Sequence, residues 1–207
     1  MSDECCAHAK PSAQTLAEQA RWKRTLWIVL AINTVGFGVE VIAGLLARST
    51  ALQADSLDFL GDAVNYALSL GVLGMALRAR ATVALVKGLT MGALGVWVLG
   101  LAAWQVANGI VPEAPTMGVI GVLALAANVA CLALLTGFRR GDANMRSVWI
   151  CSRNDVIGNC AVLLAAAGVF GTQTGWPDAI VAVIMGSLAL WGAWQVIRQA
   201  RTEMRPA

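Results

Sequence analysis

Charge is what this chain has least of. Asp, Glu, Lys and Arg make up 13% of its 207 residues, against about a quarter in a soluble domain. Histidine is scarcer still, with His8 alone, and Tyr66 is the only tyrosine. One histidine near the N-terminus leaves no Ser/His pairing and no HExxH helix, and no phosphate-binding loop occurs. Nothing in the chain suggests a hydrolase on those grounds; we expect no enzyme and no nucleic-acid partner. The five cysteines do not make a disulfide framework. Cys131, Cys151 and Cys160 lie in apolar runs and Cys5 and Cys6 in a polar tail, so reduced thiols are expected. No cleavable signal peptide is expected: the residues up to Lys23 are polar, and the first apolar run is too long for such a leader.

What is present is apolar surface, at 58% of residues. Six apolar runs follow the tail: Thr25–Ala47, Ala51–Leu77, Ala81–Ala107, Thr116–Phe138, Val148–Gly171 and Pro177–Ile197. Each exceeds the roughly 20 residues that a membrane-crossing helix needs. The expected fold is an all-α membrane protein of six transmembrane helices, with tails at 1–23 and 199–207 around a helical domain at 24–198. Connections are short and hold the turn formers, as in NGIVPEAP and GTQTGWPD; Pro177 and Asp178 suit the first turn of a helix. Twelve Lys and Arg residues, among them Arg24, Arg80, Arg140 and Arg201, fall at one end of the spans, and Arg48 alone in the opposite loops. Basic loops stay inside, so both termini are expected in the cytoplasm of a plasma membrane, bacterial in the absence of organellar signals. Trp22, Trp27, Trp104, Trp149, Trp176 and Trp194 fall near span ends, as an aromatic belt would.

The second run breaks the rule of apolarity. It carries Asp55, Asp58 and Asp62, and each carboxylate near mid-membrane costs roughly 2.5–3.5 kcal/mol even on the lenient insertion scale. Asp58 and Asp62, four apart, lie on one helical face, with Asp55 at its edge. Like charges this close need a proton or a cation between them. The fifth run repeats the pattern, with Cys151 and Asp155 four apart and Asn159 a turn further. Two such helices can converge on Asp58, Asp62, Cys151 and Asp155, a four-ligand set of the kind Zn²⁺ prefers. One thiolate among carboxylates favours Zn²⁺ or Cd²⁺ over Mg²⁺ or Ca²⁺. The plainer reading of Cys151 is a small buried hydrophobe.

The string Asn33…Glu40…Gly44…Ser49-Thr50-Ala51-Leu52…Ala54-Asp55-Ser56-Leu57-Asp58…Asp62 resembles the first two helices of cation diffusion facilitator transporters. Asp58 and Asp62 match that family's ligand positions and Asp55 its preceding aspartate. Cys151 and Asp155 stand where the family typically has HxxxD. The resemblance implies proton-coupled efflux of divalent metal by alternating access, Zn²⁺ or Cd²⁺ being substrate rather than cofactor, usually by a homodimer in the bilayer. The chain departs from the family in that a short form is expected, without the cytosolic ferredoxin-like domain that usually follows the sixth helix.

Other polar groups have competing readings. Glu40 and Arg153 pair within the membrane, or Arg153 instead orients Asp55 from behind; Arg153, two residues from Cys151, points away from the ligand face. Asn33, Asn65, Asn128 and Asn154 read as interhelical hydrogen-bond glue, with Asn159 a candidate along the ion pathway. Cys5, Cys6 and His8 suggest metal capture, or chance in a disordered tail. Two rival functions remain open: an intramembrane metal sensor or accessory subunit, and a proton-coupled exporter of organic cations.

Overall fold

Long apolar runs without interior proline propagate as helix, and proline appears where helices start. The computed structural model describes residues 16–71, 77–140 and 143–204. Among them lie six helices: α1 (Leu16–Leu46), α2 (Thr50–Gly71), α3 (Leu77–Ala107), α4 (Ala114–Thr136), α5 (Ala143–Thr172) and α6 (Trp176–Glu203). Proline occupies the first turn of both α4 and α6. α1 starts nine residues before the expected apolar run and α5 five before, with Trp22 and Met145 buried in the added turns.

Five helices, all but α2, are long and apolar enough to cross a membrane. Their outward faces carry Val35, Ile42, Leu46, Trp97, Leu164, Phe170 and Leu188. Apolar side chains both inside and outside are what a helix in lipid requires. α2 is different: its three aspartates keep it from qualifying by composition, and 13 of its 22 residues are buried among the other helices. The described chain is thus an all-helical, multi-pass membrane protein.

The helices pack most closely as three pairs, α3 on α6, α1 on α2 and α4 on α5, with α2 also touching α3, α5 and α6. Two apolar clusters divide the interior. One is built largely from small residues, including Ala47, Ala51, Ala54, Ala165 and Ala182. The other holds Trp22, Leu26, Tyr66, Leu135 and Phe138. On α1, α2, α4 and α5 the stretches between these clusters carry the buried polar groups Asn33, Glu40, Asp62, Asn128 and Asn159, with Asp55 at the margin of the first cluster. A polar layer is therefore held between two apolar plugs.

At the end that holds the α1–α2, α3–α4 and α5–α6 turns, the chain is tied to itself. Arg48 takes a left-handed backbone (φ 54°) to reverse direction, and Ser49 N–H returns to the Gly44 carbonyl at 2.9 Å. The Glu113 N–H reaches the Ala47 carbonyl at 2.9 Å, joining the α3–α4 connection to α1. Gly44 lets α1 and α2 approach: a Cβ there would come 3.2 Å from the Gln53 backbone nitrogen and 2.9 Å from its Cγ. Gly44→Val is expected to wedge the pair apart at a cost of about 1–3 kcal/mol, read as a lower melting temperature in detergent; an unchanged midpoint would mean the pair repacks freely.

Candidate functional site

Asp178, in the first turn of α6, is buried, yet every charge-bearing oxygen it owns is used. Its Oδ1 accepts from the Ser49 hydroxyl at 2.6 Å and the Ala51 N–H at 3.1 Å. Its Oδ2 accepts from the Thr50 N–H at 2.8 Å and the Thr50 hydroxyl at 2.6 Å. Ser49 Oγ in turn accepts from Leu52 N–H at 3.1 Å, as an N-cap does. The first three N–H groups of α2, orphaned in any helix, are all satisfied, two of them by a carboxylate from another helix. The negative charge also faces the positive end of the α2 dipole. α2 is thereby fixed in depth and rotation, which sets where its other acids point.

Those acids face α5. Asp58 Oδ2 lies against Gly158, where an added Cβ would stand 3.7 Å from it and 4.0 Å from Asp55 Oδ1. Gly158 leaves room for carboxylates that any side chain would crowd. Asn159 Nδ2 donates to Asp55 Oδ1 at 3.2 Å and to the Asp155 backbone carbonyl at 3.0 Å. The Asp62 and Asp155 carboxyls are hydrogen-bond neighbours, with Asp58 and Asp55 within electrostatic range of Asp155. Tyr66, one turn beyond Asp62, donates its hydroxyl to Asp62 Oδ2. The seam between α2 and α5 thus gathers four carboxyls in a layer with few donors.

Of the four sequence-assigned ligands, Asp58, Asp62 and Asp155 line this seam. Cys151 sits one turn before Asp155 on α5, half-buried and not in a disulfide. Among the described residues, no three His, Cys, Asp or Glu groups stand close enough to hold a metal ion as they are.

Arg153 goes elsewhere than the sequence suggested. It is exposed, with its guanidinium 5.7 Å from the Trp149 ring centroid and 3.4 Å from Asn154 Oδ1. Two residues along a helix turn roughly 200°, which carries it off the face shared by Cys151 and Asp155. It pairs with neither Glu40 nor Asp55, and the buried Glu40 carboxylate has no hydrogen-bond donor. Asn33 is glue as expected, donating to the Val29 carbonyl at 2.8 Å and to Cys131 Sγ at 3.5 Å. Cys5, Cys6 and His8 lie outside the described residues.

Two groups near the seam escaped the sequence reading. Tyr66 could have been found, being four residues after Asp62 and the sole tyrosine. Cys131 of α4, fully buried, lies within electrostatic reach of Asp62, Tyr66 and Asp155. Nothing in its own apolar run signals that, because α4 brings it there only through packing.

Residues 26–204 match the family described as the cation efflux transmembrane domain. The chain is 23% identical, over 86% of its length and 60% of the relative's, to the metal cation efflux system protein CzcD of Cupriavidus metallidurans. It is 25% identical to the zinc transporter ZitB of Yersinia pestis, over 93% of this chain and 66% of that one. It is 23% identical to a cadmium, cobalt and zinc/H⁺–K⁺ antiporter of Bacillus subtilis, over 86% of this chain and 62% of that one. The chain therefore spans about three fifths to two thirds of the length of these curated relatives. With the match covering all but the ends of the sequence, this multi-pass membrane chain belongs to the cation efflux family, the cation diffusion facilitators.

Proposed function

We propose that this chain moves divalent cations, Zn²⁺ and Cd²⁺ foremost, across the bilayer by alternating access in exchange for protons. The observation that carries the reading is the polar layer. Three aspartates from α2 meet Asp155 of α5 between two apolar plugs, and the Asp62 and Asp155 carboxyls are neighbours. Buried acids in such numbers have a use only if a cation neutralises them. The relatives named for zinc, cadmium and cobalt support divalent metal as that cation; the one named for H⁺ and K⁺ supports exchange against a monovalent ion.

In this reading Asp58, Asp62 and Asp155 supply oxygen ligands and Cys151 a soft one. Metal binding releases protons from the seam, and protons return when the site faces the more acidic side. The Arg-rich end is cytoplasmic, so the tied turns lie outside. Residues 24–198 form the transporting unit, and a homodimer forms through the apolar helix faces. The test is metal-driven proton flux in proteoliposomes, with wild type and Asp58→Ala side by side. Flux in the wild type and its loss in the variant are expected; a folded wild type that binds metal without flux would leave a sensor instead.

A thiolate prefers Cd²⁺ to a degree that a hydroxyl does not. Cys151→Ser is therefore expected to lower Cd²⁺ transport about tenfold or more while reducing Zn²⁺ transport less, the discrimination resting on ligand softness. Equal losses for both metals would show that the thiol tunes nothing. Cys131→Ser run in parallel distinguishes the two thiols.

A further inference from the structure

Glu40 lies in the second half of α1, 1% exposed, and neither of its carboxylate oxygens has a hydrogen-bond donor. Its carboxyl faces that of Asp55 on α2, oxygen to oxygen, with Asp58 within electrostatic range. Asp55 is fully buried; its Oδ1 is held by Asn159, and its Oδ2 has no donor. Asn159 Oδ1 is buried and unpartnered as well. Ile120, Leu123 and Ala124 of α4 line the same cavity as Glu40. Arg153 of α5 is exposed and lies over the Trp149 ring instead.

Two facing carboxylates in such a place would each cost several kcal/mol if left charged and bare. Four acceptor oxygens without a donor therefore point to a missing positive charge. The donor set is oxygen only, with no nitrogen or sulfur. That suits a hard ion and discriminates against Zn²⁺ and Cd²⁺, which favour N and S ligands.

We propose that Glu40, Asp55 and Asn159 form an all-oxygen site for a hard monovalent cation, a proton or an alkali ion, distinct from the divalent-metal ligands. Resting on the function proposed above, its occupant is exchanged against metal alongside the protons that the seam ligands release. Asp58 links the two sites: it belongs to the metal seam and lies within electrostatic range of Glu40. A doubly charged ion arriving at Asp58 repels a single positive charge held by Glu40 and Asp55, and the reverse holds on return.

The site is tested first without transport. Detergent-purified wild type and Glu40→Gln, which keeps the volume and removes the charge, are compared in choline, Na⁺ and K⁺ media by infrared difference spectroscopy and melting temperature. If the occupant is a proton, the wild type shows a protonated-carboxyl band that Glu40→Gln lacks, indifferent to Na⁺ and K⁺. If it is an alkali ion, Na⁺ or K⁺ raises the wild-type midpoint above that in choline and leaves Glu40→Gln unmoved. The same bands and the same salt response in both proteins would overturn the site. Should Glu40→Gln fail to fold, Asp55→Asn carries the same expectations.

The second arm is Cd²⁺ binding and uptake. Glu40→Gln is expected to bind Cd²⁺ within about threefold of wild type, a difference of at most about 0.7 kcal/mol, while its uptake no longer responds to a monovalent-cation gradient. Loss of Cd²⁺ binding would place Glu40 among the metal ligands and overturn the assignment. A wild type with no uptake at all would sink the exchanger, and the spectroscopic and melting results would still decide whether the monovalent site exists.

Discussion

Asp62→Asn is expected to lower divalent-metal transport on the order of 100-fold or more and, in the same protein, to leave the fold as stable as before or more so. The two halves come from one cause. Asp62 is where the α2 and α5 acids meet, beside Asp155 and under the Tyr66 hydroxyl. An amide keeps the shape and removes one like charge from a crowded buried layer. It also deletes a charged oxygen ligand, which a divalent cation cannot recover from a neutral carbonyl. A structural aspartate would behave oppositely, losing stability and activity together. Uptake of Zn²⁺ and Cd²⁺ into proteoliposomes, with the detergent melting temperature of the same preparation, separates the cases. Retained uptake would remove Asp62 from the ligand set; lost uptake with a collapsed midpoint would make it a structural group.

Asp178→Ala is expected to be the most destabilising single change at the tied end. The carboxylate receives four hydrogen bonds, two from the backbone at the start of α2 and two from the hydroxyls of Ser49 and Thr50. Alanine would leave the Thr50 and Ala51 N–H groups buried without acceptors and remove the charge facing the helix dipole. Breaking a buried, charged network of this sort costs about 3–5 kcal/mol. Asp178→Asn offers one acceptor oxygen where there were two and introduces an unwanted donor, so it is expected to cost about half as much. Chemical unfolding in detergent measures both. A loss below about 1 kcal/mol for the alanine variant, the worth of one ordinary hydrogen bond, would mean water replaces the carboxylate. Because Asp178 also sets the rotation of α2, Asp178→Asn is expected to slow transport without changing which metal is preferred.

Much of this was legible in the sequence wherever a relation is internal to one helix. The Asp55–Asp58–Asp62 stripe, the Cys151–Asp155 step and the six-helix order follow from spacing and length. Relations between helices were legible only in outline. Asp178 read as a first-turn residue of its own helix, and its sequence neighbours gave no hint that it caps α2, some 128 residues away. Cys131 looked like one more small residue in an apolar run until packing placed it near Asp62. Arg153 looked like a partner for Glu40 because a buried acid calls for a base, but its helical phase turns it to the outside. The answer to that acid is instead another acid, Asp55, and a helix-face pattern cannot show which side chains meet across a seam.

Everything functional here depends on the metal being held by the α2–α5 seam. Zinc X-ray absorption on the loaded protein, with bound zinc counted on the same sample, addresses that directly. The expected wild-type spectrum has carboxylate oxygens at about 2.0–2.2 Å and one sulfur near about 2.3 Å, the sulfur vanishing in Cys151→Ser, and bound zinc is lost from a variant carrying Asp58→Asn and Asp155→Asn together. Zinc bound in full by that double variant, with an unchanged spectrum, would place the ion elsewhere and contradict the assignment.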